Sequence, residues 1–270
     1  MKYLQSLPIL ISTIFITVSM ATMGQNFKKA EVAGGKAGFK EFLEYEMQYP
    51  AEAIKNKSEG KLRISFDVLP DGELTAIHIT GSSDSSLIKE ARRLLKRTVW
   101  IPGESRGTQI RTSNTTQIEF KIKKYHRYVK RRGYDSIPCY CSSCDSSASI
   151  YKGRQLSKTA TPVFDKDQDF TSFIKKNLQY PETAKKMNLN GQVSLKFVIE
   201  SSSIISNIIV TEHLGMGCTE EAIRVIQLLK WSPAEKDKTC VRSWNTVSLF
   251  FGNPKGGFKY MPMNQFNSLN

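Results

Sequence analysis

QYPETAKKMNLNGQVSLKFVIE, residues 179–200, repeats QYPAEAIKNKSEGKLRISFDVL, residues 48–69, at a shift of 131 positions and without an insertion. The register holds on both sides. Phe39 and Phe42 fall on Phe170 and Phe173, Ala53 on Ala184, Gly60 on Gly191 and Phe66 on Phe197. Further on, Ile77 and Ile79 fall on Ile208 and Val210, Ala91 on Ala222, Trp100 on Trp231, Pro102 on Pro233 and Phe120 on Phe251. A register kept over about 80 positions marks two copies of one domain, each long enough to fold around its own core. The 270 residues are 40% hydrophobic and 10% aromatic, which is globular composition and excludes disorder throughout.

Each copy predicts the same elements. Tyr-Pro opens a first helix, because proline's fixed φ and missing amide hydrogen suit the first helical position. Gly60 and Gly191 are expected to end it as left-handed residues. Leu62, Ile64, Phe66 and Val68 alternate, as do Val193, Leu195, Phe197 and Ile199, so each set is a strand with one buried face. Pro70-Asp71-Gly72 then turns a hairpin, where copy two has Ser201-Ser202-Ser203. Ile88, Ala91, Leu94 and Leu95 recur at helical spacing, and Ala222, Val225, Ile226 and Leu229 match them. Asp84, Ser85 and Thr219 are the expected N-caps of this second helix, and Trp-x-Pro closes it. A third strand passes through Thr116, Ile118 and Phe120, or Val247, Leu249 and Phe251. The fold class is α+β: two tandem domains, each two helices on a small three-stranded antiparallel sheet.

The order helix, strand, strand, helix, strand, with Tyr-Pro, a mid-domain glycine, Trp-x-Pro and a closing apolar strand, resembles the TonB C-terminal domain. The segment from Gly217 to Val225 is similar to the second helix of TonB-type domains found in Bacteroidetes. The resemblance implies a non-enzymatic binding module whose last strand receives an extended segment of an outer-membrane TonB-dependent receptor. By position the partner-strand edges are Gln117 to Ile122, with Gln117, Ile118 and Phe120, and Asn245 to Phe251, with Asn245, Val247, Leu249 and Phe251. Backbone groups there would supply affinity by β-augmentation. The alternative is that the other copy, or a second copy of the chain in a homo-oligomer, covers these edges.

Residues 1–25 differ from the rest. Lys2, an apolar run from Leu7 to Val18 and small residues at Ser19, Ala21 and Gly24 form a signal peptide pattern, with an uncleaved single-span anchor as the alternative. The first places the protein in the periplasm or cell envelope, the second in the inner membrane. The resemblance also bears on this choice: energy transducers of the family keep an anchor helix with a histidine and a long Pro-rich spacer. Here the histidines are His78, His126 and His213, and residues 26–38 are short and proline-poor. The expected layout is a first domain at 36–124, a basic then Cys/Ser-rich linker at 125–163, a second domain at 164–252 and a loose tail at 253–270.

The formal charge of +14 concentrates after the first copy, at Lys121, Lys123, Lys124, Arg127, Lys130, Arg131 and Arg132. Export excludes nucleic acid as partner, leaving an anionic envelope surface, met through Lys130, Arg131 and Arg132, or a solvated linker. That surface would make the chain an envelope scaffold. Five cysteines suit disulfides in an exported protein: Cys139, Cys141, Cys144, Cys218 and Cys240, with at least one left over. The linker trio lacks a convincing fourth zinc ligand, and Cys141 and Cys144 lack the following helix of a redox pair. Cys218 falls at a helix start, where the dipole favours a thiolate. A Cys218–Cys240 bridge needs their Cα atoms within about 7 Å. No catalytic constellation, metal or cofactor is expected. Glu220 and Glu221 are explained by the first turn of a helix.

Overall fold

A computed structural model of the chain describes residues 27–165, 168–252 and 259–262. The expected signal peptide lies outside them, as does most of the tail. Copy one runs α1 (Gly35–Glu46), α2 (Ala51–Lys55), β1 (Gly60–Val68), β2 (Leu74–Thr80), α3 (Ser85–Arg97) and β3 (Thr112–Phe120), followed by α4 (Ile122–Arg132). After a short β4 (Ser143–Cys144), copy two runs α5 (Phe170–Asn177), α6 (Glu182–Lys186), β5 (Gly191–Ile199), β6 (Ile205–Glu212), α7 (Cys218–Gln227), β7 (Thr239–Val241) and β8 (Ser243–Phe251). A further strand, β9 (Lys259–Pro262), follows it. No described helix is long and apolar enough to cross a membrane.

The two main antiparallel sheets have the orders β2-β1-β3 and β6-β5-β8-β9. Their registers coincide under the repeat shift: Gly60 faces Phe120 and Val68 faces Thr112, as Gly191 faces Phe251 and Ile199 faces Ser243. One irregularity also repeats, although β5 has a second register shift, between Ser194 and Leu195, that β1 lacks. A bulge falls between Ser65 and Asp67 in β1 and between Lys196 and Val198 in β5, and the opposing left-handed residues are Ala76 and Asn207, at φ of 50° and 51°. The alternating apolar residues point inward, where Leu62, Ile64 and Ile118, or Val193, Leu195 and Leu249, are sealed from water beneath α3 or α7. Phe66 meets Trp100 edge-on at 4.7 Å, and Phe197 meets Trp231 at 5.5 Å.

Several sequence expectations need correction. A full helix, α1 or α5, precedes Tyr-Pro, so each unit holds three helices, and the second sheet has a fourth strand. A residue before proline is driven out of the helical region, so Tyr49 and Tyr180 interrupt the helix instead of opening it. Pro50 and Pro181 then cap the short α2 and α6. The left-handed residues after these helices are Lys57 and Asn188, whereas Gly60 and Gly191 begin strands. A Cβ at 191 would stand 2.9 Å from Leu214 Cδ1, the end of a flexible side chain that would have to shift. Asp84 caps α3 as expected, accepting from the Ser86 and Leu87 amides. Thr219 does not cap α7; Gly217 does, at φ 85°, while the Thr219 hydroxyl bonds the Leu214 backbone.

Candidate protein-binding edges and the joint between the copies

The Tyr-Pro bend in each copy is fixed by one carboxylate and one arginine. Glu90 Oε1 accepts the Gln48 amide at 2.8 Å, and Arg93 pairs with Glu90 at 2.7 Å while donating to the Glu46 carbonyl. In copy two Glu221 accepts the Gln179 amide at 2.6 Å, and Arg224 pairs with Glu221 and donates to the Asn177 carbonyl. Glu221 therefore does more than favour a helix start. Glu90 and Arg93 matching Glu221 and Arg224 under the repeat shift was the sequence signal for this lock.

The bend leads through α2 or α6 into β1 or β5, the central strands that pair with the candidate edge strands β3 and β8. Along β3, Ser113, Thr115 and Gln117 are exposed, but Ile118 and Phe120 are sealed in the core. Along β8, Asn245, Val247, Leu249 and Phe251 all point inward. Those six inward side chains build the core, so only their backbone groups can meet a partner, with the alternate positions presenting side chains. The edges differ in occupancy. On its outer side β3 pairs with no strand among the described residues. The matching side of β8 carries β9, antiparallel, with Asn245 opposite Pro262 and Ser248 opposite Lys259.

The model of the family described as Gram-negative bacterial TonB protein C-terminal matches residues 45–122 and 176–252, one span in each copy. The chain belongs to the TonB C-terminal family. A comparison with curated proteins finds no match. TonB C-terminal domains are protein-interaction domains, and the match begins in the two copies at equivalent positions of the repeat.

The two TonB-like units are joined by charges buried between them. Arg97 of copy one reaches Glu46 at 3.1 Å and Glu200 of copy two at 2.7 Å, and Arg242 reaches Glu200 at 2.7 Å. Arg242 also donates to the Arg97 carbonyl at 2.6 Å, and Asn207 accepts the Val99 amide at 2.7 Å. All five polar side chains are buried. Burial works against ionising Glu200, yet Arg242 and Arg97 outweigh it and hold the carboxyl below its usual range. Glu46 moves the other way, raised by burial and by the charge of Glu200 against Arg97 and Arg93.

The segment between the copies takes part in this joint. Its basic half is α4, which buries Tyr125 and Tyr128 against copy one. Arg132 is spent there, donating to the carbonyls of Glu44 at 3.0 Å, Tyr45 at 3.1 Å and Met47 at 2.8 Å. Arg131 pairs with Glu44, and Lys121 and Lys124 pair with Glu119. Lys130 is exposed, on a face with exposed Lys123 and Arg127. The cysteines pair as Cys139 with Cys144, within the expected linker, and Cys141 with Cys240, from the linker to the second copy. Cys218 is buried and free, so it does not bridge to Cys240, and burial followed by the Glu220 charge pushes its thiol up, opposite to the helix-dipole expectation. Among the described residues no His, Cys, Asp and Glu group of three or more could hold a metal.

Proposed function

We propose that this is an exported, periplasmic TonB-like binding protein that takes up an extended segment of an outer-membrane TonB-dependent receptor as an added strand on β3, in support of TonB-dependent transport. The observation that carries the reading is the contrast between equivalent edges: β8 already holds an antiparallel strand from its own chain, whereas the outer side of β3 pairs with none among the described residues. Unpaired amides and carbonyls on a sheet edge template such an addition. A synthetic peptide with the periplasmic segment of such a receptor, titrated into the isotope-labelled chain, should shift the amides of Thr115 to Glu119. Shifts confined to α4 or to residues 134–160 would overturn the reading.

A second reading, attachment to an anionic envelope surface, is favoured by the outward face of α4. Lys123, Arg127 and Lys130 are its exposed cations, with Arg131 beside them partly neutralised by Glu44 and Arg132 occupied by carbonyls. Replacing Lys123, Arg127 and Lys130 with Gln should abolish low-salt binding to anionic vesicles, and unchanged binding would remove this reading.

A further inference from the structure

Four of the five cysteines meet at one place. Cys139 and Cys144 form one bridge and Cys141 and Cys240 the other, so the pairs interleave. The two bridges differ in exposure: Cys139 is exposed, Cys141 and Cys144 are half-buried, and Cys240 is fully buried. They are also adjacent. β4 runs parallel to β7 with Cys144 directly opposite Cys240. Residues opposite one another on neighbouring strands stand about 4.8 Å apart, inside the Cα range of about 4.4–6.8 Å that a disulfide spans. Cys240 therefore has two geometrically acceptable partners, Cys141 and Cys144.

We propose that Cys139, Cys141, Cys144 and Cys240 form a thiol–disulfide exchange site whose substrate is an external dithiol, such as the reduced pair of a disulfide oxidoreductase. A thiolate of the dithiol attacks the exposed Cys139–Cys144 bridge to give a mixed disulfide. The second thiol of the dithiol then resolves it, so the dithiol is oxidised to a disulfide and Cys139 and Cys144 are released as thiols, two electrons and two protons having been transferred. The Cys144 thiolate next attacks Cys240 Sγ, forming a Cys144–Cys240 bridge as the bond from Cys240 to Cys141 breaks. The Cys141 thiolate leaves and takes up the proton that Cys144 lost. No electrons are consumed in this second step.

The relocation has a structural consequence. Immediately after Cys144, the carbonyls of Ser146 and Ser147 accept Arg97, at 3.3 Å and 2.8 Å, and the carbonyl of Ala148 accepts Arg242 at 2.8 Å. A Cys144–Cys240 bridge keeps this segment on copy two and so preserves the joint. It frees the stretch around Tyr140, which lines a cleft of about 610 Å³ with Glu41, Tyr45 and Trp231.

The test is to treat the undenatured full chain with one equivalent of dithiothreitol, alkylate with N-ethylmaleimide at low pH, and map bridges and labelled cysteines by peptide mass spectrometry. The proposal expects label on Cys139 and Cys141 with a Cys144–Cys240 bridge. Label on Cys139 and Cys144 with Cys141–Cys240 retained would overturn it, as would no labelling of the four or all-or-none loss of both bridges. In Cys139→Ser, whose Cys144 starts without a partner, the same exchange should place label on Cys141 with a Cys144–Cys240 bridge. Label on Cys144 alone would overturn the exchange step.

Discussion

The two copies agree in most of the residues that build the domain and differ in most of those that join one copy to the other. Tyr-Pro bend, bulge, carboxylate–arginine lock and Phe–Trp contact all recur at one shift. Four of the five joint residues do not: Glu46 matches Asn177, Arg97 matches Leu228, Glu200 matches Leu69 and Asn207 matches Ala76, while Arg242 matches Arg111, which pairs with Asp67 at the surface of copy one instead. Because the charged face of copy one has no counterpart on copy two, the joint is heterologous and its charge pairing is not repeated for another unit to continue. Duplication supplied the fold twice, and divergence made the two copies fit each other once.

The largest effect should follow from breaking that joint. Glu200→Ala leaves Arg97 and Arg242 buried without their shared carboxylate, a loss of about 3–5 kcal/mol, measured by chemical denaturation. Leu69→Ala, its counterpart in copy one, should cost less because Leu69 is only half-buried. Equal losses would mean that the joint is not the special feature of copy two.

A smaller effect separates the two locks. Arg93 is 25% exposed and Arg224 44%, so Arg93→Ala should cost about 2 kcal/mol and Arg224→Ala about 1 kcal/mol, because charged hydrogen bonds weaken as water reaches them. The reverse order would contradict the burial argument.

Most of the fold was legible because it was written twice in residues whose spacing carries the message. Period-two runs gave β1 and β5, helical spacing gave α3 and α7, and Asp84 announced its own helix. Tyr-Pro misled, since one proline can open a helix or interrupt it, and only packing of Phe42 and Leu43 into the core shows which. The basic run hid α4, because two buried tyrosines among seven cations look like solvated chain. The joint was invisible for a different reason. Four of its five side chains have no like residue in the other copy, and the partners lie far apart in sequence, with Arg97 and Glu200 separated by 103 positions.

The smallest effect is acid sensitivity at one helix start. The Asp84 carboxyl is lowered to about 2, mainly by the Ser86 hydroxyl. Its cap is therefore fully formed above the unfolded carboxyl pKa of about 3.9 and is lost as pH falls through the folded value. Gly217 caps α7 without an ionisable side chain. Exchange protection at the Ser86 and Leu87 amides should drop between about pH 4 and 2, while Thr219, whose amide bonds the Leu214 carbonyl, should change less. A matching loss at Thr219 would dissolve this distinction between the copies.

The contrast between the open and occupied edges is tested most directly by counting receptor-peptide sites on the full chain and on a chain ending at Gly252. Isothermal titration gives the number of sites, and amide shifts give their location. The account expects one site in the full chain, on β3 near Gln117, and two in the shortened chain, the second along Asn245 to Ser248. A full chain that binds on β8 with β3 silent, or a shortened chain that gains no site, would contradict it.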